Sequence, residues 1–189
     1  MRICVYCSSS SALDAAYNHA AEELGRLIGE HGHSLVYGGS CSGTMGLLAR
    51  AARQHGAHVV GVLTQQLYAY GLLDEAVNEV ILTASMAERK AAMEQRAEAF
   101  VALPGGFGTL EELLQVLTLK QLHVHQAPVV LVNIEHTYDP LLAFFETLYS
   151  RRFAKEDYRQ LYLVVATPGE ALERIEHYHA PTLPDKWYG

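Results

Sequence analysis

The sequence predicts a doubly wound, Rossmann-like α/β fold, a parallel sheet with helices on both faces. Two observations carry this expectation. Short apolar runs rich in Val, Ile and Leu alternate with stretches of helical period along the chain. These runs are apolar throughout, as strands covered on both faces are, and right-handed crossovers then place the helices on either side. A third observation locates the function. Residues 7–11 (CSSSS), 38–43 (GGSCSG) and 104–108 (PGGFG) leave the carboxyl ends of such runs and carry small or polar residues. That edge of an open parallel sheet is where ligands bind.

The elements follow in order. RICVY at 2–6 reads as a strand, and residues 12–32 have helical spacing that stops at Gly32. SLVYGG (34–39) is a second strand and residues 43–56 a second helix, closed by Gly56. HVVGVL (58–63) is a third strand, after which residues 64–76 lack a clear period. VNEVILTA (77–84) is a fourth strand, and Ser85 is placed to cap the helix over 85–98. AFVAL (99–103), PVVLVNI (128–134) and LYLVVA (161–166) are the remaining strands, followed by helices over 109–124, 138–153 and 168–178.

A chain of 189 residues suits one α/β domain, expected over 1–180, with a tail at 181–189 in which Trp187 is a candidate anchor for the tail or a subunit contact. Half the residues are apolar and 19% are charged, the balance of a soluble globular protein. The formal charge of −7 and the lack of a basic run argue against general nucleic-acid or anionic-membrane binding. Local capture of one phosphate remains open. No apolar stretch approaches the roughly 20 residues of a membrane helix, and MRICVYCSSS reads as a strand rather than a signal segment. Cys4, Cys7 and Cys41 form no even-numbered framework, which fits a reducing cytoplasm.

Three motifs carry candidate chemistry. In GGSCSGTMG, glycines between a strand and a helix allow close backbone approach to a ligand, and Gly39 is a candidate contact. The dinucleotide spacing is absent, so a tight packing turn is the plain alternative. In PGGFGTLEE, the glycines Gly105, Gly106 and Gly108 flank Phe107 and lead into a helix. There Gly108, Thr109 and Leu110 would offer N–H groups to a phosphate. The competing reading is a capping box, with Thr109 as N-cap and Glu112 bonding back to its N–H. That reading leaves the glycines unexplained. In SMAERKAAM, Arg89 and Lys90 sit early in a helix, where cations oppose the macrodipole; an anionic ligand, or Glu111 and Glu112 across a cleft, would favour them. Glu94, Arg96 and Glu98 read as solvated helix charges. The ten histidines show no ligand spacing, so no metal site is expected.

YGGSCSGTMG, SMAERKAAM and PGGFGTLEE, in this order, resemble the Lonely Guy family of cytokinin riboside 5′-monophosphate phosphoribohydrolases, many of them labelled lysine decarboxylase-like. The resemblance runs from about residue 2 to about 168 and includes CVYCSSS at the first strand and Thr118, at a usual ligand-side position. It implies hydrolysis of the N-glycosidic bond of a purine ribonucleoside 5′-monophosphate, AMP or an N6-prenylated AMP, to free base and ribose 5-phosphate. It implies no metal or redox cofactor, and an oligomer, at least a dimer, with sites at the subunit boundary. Such cleavage passes through an oxocarbenium-like sugar, which a carboxylate can stabilise while orienting water. Glu112 matches that carboxylate and Arg89 the family's essential arginine. The Gly106–Thr109 backbone would hold the phosphate; Glu111 would assist at the ribose or orient Arg89, and Lys90 is a further ligand-side residue.

The chain departs from the family pattern at Ala87, where His is usual, at Ser40 and Thr44, and at Leu119, where Trp is common. Gly71 stands where a base-contacting glutamate is often found, with Asp74 and Glu75 nearby. These positions bear on the base more than on the phosphate. Two rivals remain: a nucleotide carrier on the same fold without turnover, and a pyridoxal-phosphate decarboxylase, which needs a Schiff-base lysine.

Overall fold

The computed structural model describes residues 1–186. Its strands and helices alternate as β1 (Arg2–Tyr6), α1 (Ala15–Glu30), β2 (Ser34–Tyr37), α2 (Gly43–Gln54), β3 (Val59–Thr64), α3 (Gln65–Ala69) and β4 (Glu79–Thr83). The second half continues with α4 (Met86–Arg96), β5 (Ala99–Ala102), α5 (Phe107–Gln121), β6 (Val129–Val132), α6 (Asp139–Ser150), β7 (Leu163–Val165) and α7 (Pro168–Glu176). The strands form one seven-stranded sheet in the order β4-β3-β2-β1-β5-β6-β7, every pair parallel. This is the predicted doubly wound architecture.

Alternate side chains of β1 feed opposite cores, as the two-residue strand period requires. Ile3 and Val5 join Leu24 and Ile28 of α1, Leu48 and Ala52 of α2 and Leu172 of α7. Cys4 and Tyr6 join Met93 of α4, Leu113 and Val116 of α5 and Phe145 of α6. On the first face, α1 and α2 lie unusually close. A Cβ on Gly25 would sit 2.3 Å from Leu48 O and one on Gly29 2.5 Å from His55 O, so only glycine permits this approach.

The chain leaves β1 for a helix on one face and leaves its neighbour β5 for a helix on the other. The crevice of a doubly wound sheet opens at such a switch point. Residues 7–11 and 104–108, two of the three turns singled out in the sequence, therefore flank one cleft.

Several element boundaries differ from expectation. α1 begins at Ala15, after Asp14, rather than at residue 12. The stretch 64–76, read as irregular, opens with the short α3, whose N-cap Thr64 accepts from Leu67 N–H at 3.2 Å. α5 begins two residues earlier than its polar pattern suggests. In the tail, Leu183 packs on the second core and Lys155 donates to Asp185 O at 2.7 Å; Trp187 lies outside the described residues. No helix among the described residues is long and apolar enough to cross a membrane.

Candidate active site

The first turn of α5 decides between the two readings of PGGFGTLEE. Gly106, in extended conformation, is the N-cap, and Leu110 N–H closes the first helical turn on Gly106 O at 3.1 Å. The N–H groups of Phe107, Gly108 and Thr109 therefore precede the helical ladder and point out of the N-terminus, where partial positive charge gathers. Leu110 does not belong with them, because its N–H is spent on the helix. Thr109 is not a cap either. It is buried inside the first turn, and its hydroxyl donates to Cys7 O at 3.0 Å, tying α5 to the turn after β1. Gly105 is held by packing, since a Cβ there would fall 2.1 Å from Thr109 Oγ1, whereas Gly106 and Gly108 face open space.

Glu112 does not return to the Thr109 N–H, so the capping box is overturned. One turn inside the helix, its Oε1 accepts from Arg89 Nη1 at 2.9 Å. Both side chains are buried, at 5% and 7% exposure. Arg89 is fixed at its other nitrogens, Nε donating to Val62 O at 2.9 Å and Nη2 to Gly38 O at 3.3 Å. A Cβ at position 38 would lie 2.3 Å from Nη2, so the first glycine of GGSCSG makes room for the guanidinium. Burial lifts the Glu112 carboxyl above the usual glutamate range against the opposing pull of Arg89.

The adjacent pair behaves differently. Lys90 bonds Glu111 and, at 2.6 Å, Gln115 Oε1, but Glu111 is 55% exposed at the cleft mouth. Glu94, read as a solvated charge, instead accepts from Gln115, and partial burial raises its carboxyl. Gly39 does not line the cleft. Its φ of +74° and a Cβ position 1.9 Å from Leu63 Cδ1 make it a packing glycine. Thr118 is also not brought to the cleft; it lies about 14 Å along α5 from Thr109, its hydroxyl donating to Leu114 O at 2.8 Å.

Thr44 exchanges hydrogen bonds with Ser8, N–H to Oγ1 and Oγ1 to carbonyl, both at 3.0 Å. That gives this departure from the family pattern a structural role, joining the turns after β1 and β2. Asp74 is engaged by Arg53 at 3.5 Å and Tyr37 at 3.4 Å, while Gly71 sits in an open left-handed turn. The cleft encloses about 460 Å³, within the range of small-molecule sites. One wall is serine-rich (Ser8, Ser9, Ser10); the other is apolar, built from Leu67, Leu72 and Met86. The sequence reading missed these three. Leu72 is placed by backbone pairing, Cys41 N–H donating to its carbonyl at 2.9 Å, and the signal for it was an apolar pair inside an aperiodic loop.

The family described as possible lysine decarboxylase matches residues 45–175. The chain is 45% identical over 177 residues to the cytokinin riboside 5′-monophosphate phosphoribohydrolase LOG of Oryza sativa subsp. japonica, a match covering 94% of this chain and 73% of that protein. It is 41% identical to LOG4 of Arabidopsis thaliana, which carries the same enzyme name, over 94% of this chain and 82% of that one. Among solved structures, the Moco carrier protein of Chlamydomonas reinhardtii superposes with a TM-score of 0.71 at 26% identity, covering 93% of this chain and 94% of that one.

Proposed function

The chain belongs to the Lonely Guy family of cytokinin riboside 5′-monophosphate phosphoribohydrolases, and we propose on that premise that it hydrolyses the N-glycosidic bond of purine ribonucleoside 5′-monophosphates, AMP among them. The products are the free base and ribose 5-phosphate. The observation that carries the reading is the buried Arg89–Glu112 pair set one turn below an open helix N-terminus.

In this reading the 5′-phosphate sits on the N–H groups of Phe107, Gly108 and Thr109, where the helix end favours an anion. That anchor fixes the ribose over Glu112, so binding is converted into orientation. As the bond from C1′ to the base nitrogen breaks, positive charge grows on the sugar ring, and the Glu112 carboxylate opposes it at short range in a water-poor site. The same carboxylate takes a proton from the attacking water as the water oxygen bonds C1′, and that proton is returned to the purine nitrogen that left with the bond's electron pair, a role suited to a carboxyl lifted by burial. Arg89 keeps Glu112 ionised and aimed. The purine lies against Leu67, Leu72 and Met86, whose apolar surface tolerates an N6 hydrocarbon substituent. In the expected dimer, Thr118, whose hydroxyl bonds Leu114 O within its own helix, would meet a site only in the second copy of the chain.

The test is to incubate the protein with AMP and with N6-prenyl-AMP and resolve the products chromatographically. Base and ribose 5-phosphate are expected in equal amounts, and Glu112→Gln should slow their release by about 10²–10³ while retaining nucleotide binding. Saturable binding with no base released by the wild-type protein would favour the carrier reading, which the structural likeness to the Moco carrier keeps in play.

A further inference from the structure

At the opposite edge of the sheet, the amino ends of the strands, two histidines and a glutamate converge. α1 ends at His31, Gly32 turns the chain with φ of +69°, and His33 leads into β2. The left-handed turn puts both imidazoles on one side. Glu176, the last residue of α7 and 143 residues beyond His33, meets them from across the fold. Its Oε1 lies 2.8 Å from His31 Nδ1 and 3.0 Å from His33 Nε2. All three ligand atoms fall within 4.8 Å of one another.

We propose that His31, His33 and Glu176 form a binding site for a borderline divalent metal ion of the Zn²⁺, Ni²⁺ and Cu²⁺ class. Ligand atoms bound at about 2.0–2.2 Å to one ion stand roughly 3.0–3.5 Å apart at tetrahedral or square angles. The two glutamate–histidine separations need to open by only a few tenths of an ångström, and the two ring nitrogens already lie within 4.8 Å of each other. Two imidazoles with one carboxylate suit this class, whereas Mg²⁺ and Ca²⁺ prefer all-oxygen sets. Three protein ligands leave a coordination position for water.

The ligands are pre-placed. His33 has only 11% of its side chain exposed, and Gly32 sets the turn, while the more exposed His31 and Glu176 can adjust. A carboxylate only accepts hydrogen bonds, so in the metal-free protein both facing ring nitrogens carry hydrogen. On binding, each hydrogen moves to the other ring nitrogen. For His33 that nitrogen is Nδ1, 3.4 Å from the Met1 amino group, whose contact must then release. Binding joins the end of α1, the start of β2 and the end of α7, three pieces distant in sequence. The ion is a structural clip on the face away from the nucleotide cleft, and the site is independent of the proposed hydrolase reading.

The experiment uses the untagged full chain, stripped with chelator, titrated with Zn²⁺, Ni²⁺, Co²⁺ and Mg²⁺ while thermal unfolding and calorimetric stoichiometry are read. One equivalent of Zn²⁺ or Ni²⁺ is expected to bind and, at 100 times its Kd, to raise the unfolding temperature by about 5–10 °C, with no effect of Mg²⁺. Bound Co²⁺ should show visible bands of a nitrogen–oxygen site. The exposed positions supply the variants, His31→Gln and Glu176→Gln, each expected to fold and to lose at least tenfold in affinity along with the cobalt spectrum. No stoichiometric binding, or one equivalent bound undiminished in both variants, overturns the proposal. Loss of base release in these variants with normal folding would count against the site's independence.

Discussion

Two consecutive cations of α4, Arg89 and Lys90, pair directly with two consecutive carboxylates of α5, Glu112 and Glu111. The pairs are neighbours in sequence and space, yet they live in different dielectrics. Arg89–Glu112 is walled in by β3 and the turn after β2; Lys90–Glu111 opens to water at the rim. A helical step of one residue rotates a side chain by about 100°, enough to send one member of each dipeptide inward and the other outward. The difference teaches that burial, rather than the charges written in the sequence, sets the two pairs apart and makes the inner one the candidate for chemistry.

The largest expected effect comes from removing the buried cation. Arg89→Ala leaves the Glu112 carboxylate buried without its partner and the carbonyls of Val62 and Gly38 without their donor. Loss of one member of a buried pair costs about 3–5 kcal/mol. A loss of that size in the unfolding free energy from urea titration, together with loss of base release, is expected; a variant as stable as wild type would mean the pair is not buried as described.

Glu112→Gln is the next largest and separates catalysis from stability. The amide oxygen still accepts from Arg89, but it can supply neither the negative charge nor the proton acceptor that the proposed mechanism assigns to Glu112. A fall in kcat of about 10²–10³ is expected, the scale of losing one stabilising group in a preorganised site, with nucleotide KM nearly unchanged. Equal losses in kcat and in binding would assign Glu112 to substrate holding.

The pH dependence sharpens the same contrast. Burial raises Glu112 in the folded state above the ordinary 4.5 it has when unfolded. The folded protein then holds the Glu112 proton more tightly, so this group's contribution to stability falls as pH rises from about that ordinary value through the raised one. Glu112→Gln lacks the dependence, and its stability relative to wild type should improve steadily over the same window in urea titrations. In activity, where the carboxylate must be ionised, the acid limb of kcat/KM should lie above the ordinary glutamate range. A limb at that ordinary value would place the catalytic ionisation elsewhere.

The sheet, its helices and the candidate-site edge were legible because most strands are continuous apolar runs and the turns after β1, β2 and β5 are rich in glycine or serine. Gly106 and Thr109 show where legibility ended. T-x-x-E is a sound capping signal locally, but a tertiary partner, Cys7 O, took the Thr109 hydroxyl, and Arg89 took Glu112. Local pattern cannot weigh partners that lie 102 and 23 residues away. Leu67 and Leu72 were hidden for a related reason: both sit in a segment without clear sequence period, Leu67 placed by the Thr64 cap of α3 and Leu72 by its carbonyl accepting from Cys41 N–H. The His31–His33–Glu176 cluster was hidden because its carboxylate arrives from the far end of the chain.

The smallest effect tests the outer pair. Glu111→Gln removes a charge that is 55% exposed and leaves Lys90 bonded to Gln115. Exposed ion pairs contribute about 0–1 kcal/mol, because water screens the attraction and long side chains resist ordering. A stability change below about 0.5 kcal/mol is expected, shrinking further at high salt as screening removes what remains. If Glu111 serves only to position Lys90 at the rim, kcat should hold within a few fold while KM for the nucleotide changes modestly. A kcat loss matching that of Glu112→Gln would erase the distinction between the inner and outer carboxylates, and both would then have to face the ribose.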